Sequence, residues 1–262
     1  MTAPSALRLT KSSTFARVRD QLNRVSREEG LIEAIGAETQ WAIIGGAVRD
    51  LCLVQSQADG IPSWNDLDIA VLSQLSKLPA TNETSLRRAF HVTINTYGGL
   101  KMVVPGTGAV DIWHWTPTDA VSRVASWTQV LQRVDFSINA ISYVPALNAV
   151  LAHPAWREAA ERRIIELLSS RAAHPELRVM RALALCAALS ESTRERWTFG
   201  PRLMSAIRWF FRRASRAQRA RANRYLSKKL ADKRWPKSTM TLYEETKRAM
   251  TAPRRHQLVN VR

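Results

Sequence analysis

Cysteine is nearly absent from this chain of 262 residues: it has only Cys52 and Cys186, which are far apart and form no CxxC pair. That excludes a zinc ribbon and a disulfide scaffold, and makes a reducing cytoplasm the default compartment. No apolar run approaches the roughly 20 residues that cross a bilayer. No membrane partner is therefore expected. The N-terminal stretch also lacks the apolar core of a secretory signal. It carries Arg, Lys and Ser and is acid-free up to Asp20, so an organellar transit peptide stands as the alternative. A GxxxxGK[ST] motif is missing, which excludes a P-loop. The five histidines show no metal-ligand spacing.

Acidic residues are scarce in one half only. Up to residue 150 the chain has 13 basic and 13 acidic residues, and beyond it 26 and 9, so the whole net charge of +17 belongs to the C-terminal part. A field of one sign concentrated in one region attracts a polyanion, and nucleic acid is the expected partner. A solvated basic surface, or a face for an acidic partner, would carry the same asymmetry.

Residues 14–35 read as a helix, with Phe15, Val18, Leu22, Val25 and Leu31 near helical spacing. Trp41 to Ile44 is a short apolar strand ending at Gly45-Gly46, and Ala47 to Val54 follows as a short helix. Asp66 to Leu72 is a second strand. His91–Ile94 and Lys101–Val104 flank a Gly98-Gly99 turn, and Val110 to Trp115 is a further strand. After Tyr143 helical patterns rich in Ala, Leu and Arg take over. These readings predict an α/β (α+β) head with a mixed sheet over residues 1–148. An all-helical basic neck and body is expected over 149–262.

The chemistry gathers in the head. Asp66 and Asp68 are one residue apart, and on a strand the period of two puts both carboxylates on one face while Leu67 and Ile69 face the core. Two such charges repel unless a cation lies between them, and hard divalent cations take carboxylate oxygens. Taken alone, the pair could equally be solvated strand-end aspartates. Upstream, Gly45-Gly46-Ala47-Val48-Arg49-Asp50 falls between a strand and a helix. Glycines there let a phosphate approach the backbone, N–H groups at the helix start point at the anion, and Arg49 adds a donor fork. Asp111 lies within the apolar Val110–Trp113 run, where a charge needs a reason. It is either a third metal ligand, able to help deprotonate an attacking hydroxyl, or the partner of a nearby cation.

The Gly45–Asp50 run, Asp66-Leu67-Asp68 and Arg133-Val134-Asp135-Phe136-Ser137-Ile138-Asn139-Ala140 resemble the GGxVRD, DxD and RRDFTxNA signatures of a known family. It comprises the class II tRNA CCA-adding enzymes and bacterial poly(A) polymerases, within the polymerase-β-like nucleotidyltransferase superfamily. His174 to Leu183 resembles the family's later EDxxR-type segment. The resemblance covers roughly residues 35–190. It implies that Asp66, Asp68 and, by our reading of the strand, Asp111 bind two Mg²⁺ ions, with Mn²⁺ as a substitute. It also implies that Gly45, Gly46 and Arg49 contact the triphosphate of an NTP such as ATP. Arg133 and Asp135 would lie near its phosphates and ribose, Asn139 would support the site, and Arg178 would meet the nucleobase edge.

Departures are as informative. Val134 replaces the second arginine of RRDF, and His174 and Pro175 replace the Glu and Asp of EDxxR, so proline removes the acceptor that helps to select the base. The expected activity is metal-dependent transfer of NMP from NTP to an RNA 3′-hydroxyl, on a tRNA-like or other acceptor. A defence- or toxin-type relative with another acceptor, or an inactive RNA-binding relative, are the alternatives. Arg212, Arg213, Arg216 and Arg219, with Arg221, Arg224, Lys228 and Lys229, read as one helix interleaved with Trp209, Phe210, Phe211 and Tyr225. Cations for phosphates and aromatics for unpaired bases would suit RNA, although inward-packed aromatics beneath solvated arginines give the same pattern.

Overall fold

The structure, a computed structural model, describes residues 7–9, 40–53, 66–72, 84, 87, 91–94, 99–104, 108–115, 126–169, 174–232 and 235–251. The helix expected over 14–35 lies outside the described residues. The chain divides into two compact units, Met1–Arg162 and Arg163–Arg262.

The first unit is built on strands β1 (Leu7–Leu9), β2 (Gln40–Ile44), β3 (Asp66–Leu72), β4 (Val92–Ile94), β5 (Leu100–Val104), β6 (Gly108–Trp115), β7 (Ile141–Val144) and β8 (Ala149–Ala152). They form one mixed sheet in the order β1-β8-β7-β2-β3-β6-β5-β4. Only β3 and β6 pair in parallel; every other neighbouring pair is antiparallel. Alternation along the strands sets the faces. Ile43, Leu67, Ile69, Val110 and Ile112 are fully buried, and burying each such side chain contributes about 1.5–3 kcal/mol.

Helix α1 (Gly46–Leu53) leaves the end of β2 and buries Ala47, Val48 and Leu51. Helix α2 (Trp127–Gln132) starts at Ser126, whose hydroxyl accepts from the Gln129 amide while the Gln129 side chain accepts from the Ser126 amide. That reciprocal cap closes two otherwise orphaned donors. Trp127 and Val130 of α2 pack with Ala42, Ala70 and Val144 in one apolar cluster. Two 3₁₀ turns (Ser137–Asn139 and Pro145–Leu147) and helix α3 (Pro154–Arg162) also belong to the unit.

The expected boundary at 148/149 falls inside the β7–β8 hairpin. Asn148 turns that hairpin in a left-handed conformation, φ 45°, so β8 belongs to the head sheet and the unit continues to Arg162.

The second unit is helical, as read from the sequence, with one addition: β9 (Ile164–Ile165) and β10 (Thr198–Phe199) pair in parallel. Helix α4 (Pro175–Thr193) packs on α5 (Pro201–Arg213), α6 (Arg216–Ala231) and α7 (Ser238–Thr251) through Val179, Met180, Leu183 and Leu189. The Arg212–Lys229 stretch is two helices rather than one. It breaks at Ala214, and Ser215 opens α6 through a second reciprocal cap with Gln218.

Glu166 holds the start of α5. Its carboxylate accepts from the amides of Leu203 at 2.8 Å, Arg202 at 3.1 Å and Leu167 at 2.7 Å. A carboxylate at a helix N-terminus satisfies orphan donors and meets the positive end of the dipole.

Candidate nucleotide and metal site

Strand register brings the carboxylates together. In the parallel β3–β6 pair Asp68 stands opposite Asp111, and Asp66 opposite Ala109. Asp66 is exposed and Asp68 half-buried, while Leu67 and Ile69 between and beyond them are fully buried. The sequence spacing therefore does what period two requires, and the third aspartate joins the same row. On the other side of β3, Asp68 is opposite Ile44, the last residue of β2. The next residue is Gly45.

Gly45 has φ +73°, in the left-handed region that a side chain disfavours. Its N–H donates to the Ile141 carbonyl at 3.0 Å, and its own carbonyl accepts the Arg49 N–H at 2.9 Å. The turn is thus fixed from both sides, with open space where a Cβ would stand. Gly46 differs: a Cβ there would meet only an Arg49 Nη at an ordinary 3.7 Å. Conformation demands glycine at the first position, whereas at the second neither φ nor crowding demands it.

Arg49 is buried to 9% exposure. It donates through Nε to Asp50 at 2.6 Å and through an Nη to the Asn139 side-chain oxygen at 2.6 Å. These two donors are turned to the protein rather than outward. The Arg133–Ala140 segment is thereby tied to α1 across 90 residues of sequence. Arg133 is the exposed C-cap of α2, and Asp135 and Asn139 are half-buried beside the buried Phe136, Ser137 and Ile138.

Two residues absent from the expected site belong to it. Trp113 donates its indole N–H to Asp68 Oδ1 at 3.2 Å. Lys101, opposite Asp111 in the antiparallel β5–β6 pair, places its Nζ 2.8 Å from Asp111 Oδ2. An aromatic in a strand reads as core, and a lysine as a solvated face; only the register betrays both. Among the described residues no group of three or more His, Cys, Asp or Glu is already arranged to hold a metal ion. Asp66 and Asp68 nonetheless suit a hard divalent cation in donor type and in face, with Asp111 one strand away.

Cysteine chemistry has no part here. Desolvation, and secondarily the Asp50 carboxylate, pushes the Cys52 thiol up to about 12, and burial takes Cys186 to about 11. Neither forms the thiolate that nucleophilic attack needs at neutral pH.

In the second unit Arg178 is buried, and one of its Nη groups donates to the Ser169 carbonyl at 2.7 Å. Glu176, 1% exposed in its side chain, forms an ion pair with Arg221 at 3.1 Å. The basic set separates into two kinds. Arg212 donates to the Met250 carbonyl, and Arg219 to the Ala214 and Phe211 carbonyls that end α5. Arg213 and Arg216 are exposed. Phe210 and Phe211 are buried, and Phe211 meets Tyr243 at 5.4 Å, so these aromatics are core and not a stacking platform. No described helix is long and apolar enough to cross a membrane.

No protein-family model matches the chain, and no curated protein matches it. Solved structures do share its fold. A tRNA-processing enzyme in an apo form matches with TM-score 0.52 at 17% identity, over 92% of this chain and 58% of that one. A tRNA nucleotidyltransferase complexed with a primer tRNA and an incoming ATP analogue matches with TM-score 0.51 at 18% identity, over 82% and 58%. A CCA-adding enzyme in complex with CTP gives TM-score 0.56 at 14% identity, over 92% and 53%. The chain therefore spans little more than half the length of these structures.

Proposed function

We propose that the chain is a nucleotidyltransferase of the CCA-adding and poly(A) polymerase kind, transferring NMP from an NTP to an RNA 3′-hydroxyl with release of pyrophosphate. One observation carries this reading: the register row that sets Asp111 beside Asp68, with the left-handed Gly45 at the end of the next strand. A fold shared with solved tRNA nucleotidyltransferases supports it.

In this reading Asp66 and Asp68 hold Mg²⁺, with Mn²⁺ able to replace it, and Asp111 completes the set. When bound, the metal supplies Lewis-acid activation of the α-phosphate and offsets charge on the departing pyrophosphate. The Gly45 N–H is held by the Ile141 carbonyl, so Gly45 serves the triphosphate through its turn, while Gly46 and the start of α1 offer the N–H groups. Arg133, exposed at the end of α2, supplies a cation to the phosphates, and Asp135 takes the ribose. Arg49 acts through Asn139, holding the Arg133–Ala140 segment in place. Trp113 orients the Asp68 carboxylate by donating its indole N–H to one of the oxygens. Arg178 is assigned to the nucleobase edge. Arg213 and Arg216 present charge to RNA, and Arg212 and Arg219 add theirs from positions anchored to backbone carbonyls. A soluble cytoplasmic tRNA-processing role fits these assignments.

The test is incubation of the protein with Mg²⁺, total RNA and each labelled NTP in turn. The expected result is label on RNA that falls by at least about 10³-fold in Asp68→Ala, as loss of a metal ligand removes several kcal/mol of transition-state stabilisation. Label on another acceptor moves the proposal to the defence- or toxin-type relative. RNA binding without incorporation of any NTP defeats the catalytic reading.

A further inference from the structure

Lys101 belongs to none of the fingerprint segments, yet it stands on the same register row as two of the carboxylates. Asp68, Asp111 and Lys101 occupy successive positions on β3, β6 and β5. Neighbouring strands are about 4.8 Å apart, so the row sets two negative charges side by side with an ammonium at its end. Asp111 is the most enclosed of the three acids, at 8% exposure, whereas Asp66 is exposed and Asp68 half-buried. A carboxylate that enclosed needs a cation. Lys101 Nζ, itself partly exposed, supplies one at 2.8 Å. A divalent ion shared with Asp68 would supply another. Both cations seek the same oxygens, and like charges cannot crowd onto one carboxylate without mutual repulsion.

Resting on the metal reading above, we propose that Lys101 is a built-in counter-cation that competes with the divalent ion for Asp111. Asp66 and Asp68 then make the resident metal site. The three-carboxylate set forms only when the Lys101 ammonium releases Asp111, a movement its flexible four-carbon stem and outward exposure permit. The consequence is a site that binds its metal weakly at rest and stays electrostatically satisfied without it. Lys101 is a positioning residue: it acts through Asp111.

Titration of the full chain with Mn²⁺, followed by calorimetry and by the Mn²⁺ spin-resonance signal, tests this without measuring turnover. Lys101→Met is expected to tighten Mn²⁺ binding by about 10- to 100-fold, the range spanned by one charge-assisted hydrogen bond. The gain should vanish in Lys101→Met/Asp111→Asn, which removes the carboxylate for which the two cations compete. Without metal, Lys101→Met should melt below the parent protein, and saturating Mn²⁺ should raise its midpoint more than it raises the parent's. Should the Met variant not fold, Lys101→Gln keeps a donor opposite Asp111 and is expected to show the same direction. Unchanged or weaker Mn²⁺ binding in the folded Lys101 single variants overturns the role of Lys101 alone. Failure of the parent and every variant to bind Mn²⁺ overturns the metal reading, and this proposal with it.

Discussion

Gly200 is a glycine for a reason that lies outside its own backbone. Its φ of −71° suits any residue. A Cβ there, however, would stand 2.5 Å from Glu166 Oε2, 2.8 Å from Cδ and 3.1 Å from the Glu166 Cβ. The Glu166 Cβ cannot retreat without moving β9, so the Gly200→Ala variant must displace the carboxylate. Displacement loosens its bonds to the Leu203 and Arg202 amides at the head of α5. Each charge-assisted bond contributes about 1.5–3 kcal/mol. Water recovers part of that at the exposed Arg202 amide, so the net loss is about 3 kcal/mol. To this is added about 1 kcal/mol for alanine as an N-cap. With Glu166→Ala already in place the clash is gone, and Gly200→Ala should cost only the N-cap part. A double-mutant cycle by urea unfolding, read by tryptophan fluorescence, should give a coupling of about 2–3 kcal/mol. A coupling below about 0.5 kcal/mol, the limit expected of independent sites, would refute the clash as the mechanism.

His153 gives a pH-dependent effect. Its Nδ1 accepts from the Ala155 amide at 3.2 Å at the start of α3, and desolvation lowers its pKa from 6.5. The folded state therefore binds fewer protons than the unfolded one, and this stability is present above about pH 6.5 and drains as pH falls through the folded value. Thermal midpoints of the parent should drop between pH 7 and 5, and His153→Asn should flatten that drop; an equal slope in both would contradict it. Arg49→Lys cannot reach Asp50 and Asn139 together, so nucleotide incorporation should fall about tenfold with a stability loss of about 1–2 kcal/mol. Steady-state kinetics beside a melting curve check this, and full activity would show that the Asn139 bridge does not position the site.

What the sequence disclosed follows from where periodicity speaks. Asp66 and Asp68 stand on one face because alternation is a local rule, and Asp111 was visible as a charge within an apolar strand. Lys101 and Trp113 were not, because their partners lie on other strands and only pairing register joins them. The six-residue α2 is too short for a helical period to declare itself. Strand β8, four apolar residues before a helix, has no polar alternation to set it apart from the helical texture, and it lies beyond the boundary that texture suggests. The break between α5 and α6 was legible in principle. Ser215 and Gln218 form the Ser-x-x-Gln start signal, set within a run of arginines whose charge continues across the break. Arg49 shows the other limit: an arginine beside glycines suggests phosphate, whereas two of its donors are bound to Asp50 and Asn139.

Because Asp68, Asp111 and Lys101 share one register row, the first unit should respond differently to two kinds of genetic lesion. A substitution at Ala109 or Trp113 changes one side chain. Deletion of a single codon in β6 upstream of Asp111 inverts the strand instead, turning Asp111 toward the core and Ile112 toward Lys101. In a library that holds both classes, single-codon deletions across Gly108–Val110 should be lost as completely as mutation of Asp111 itself.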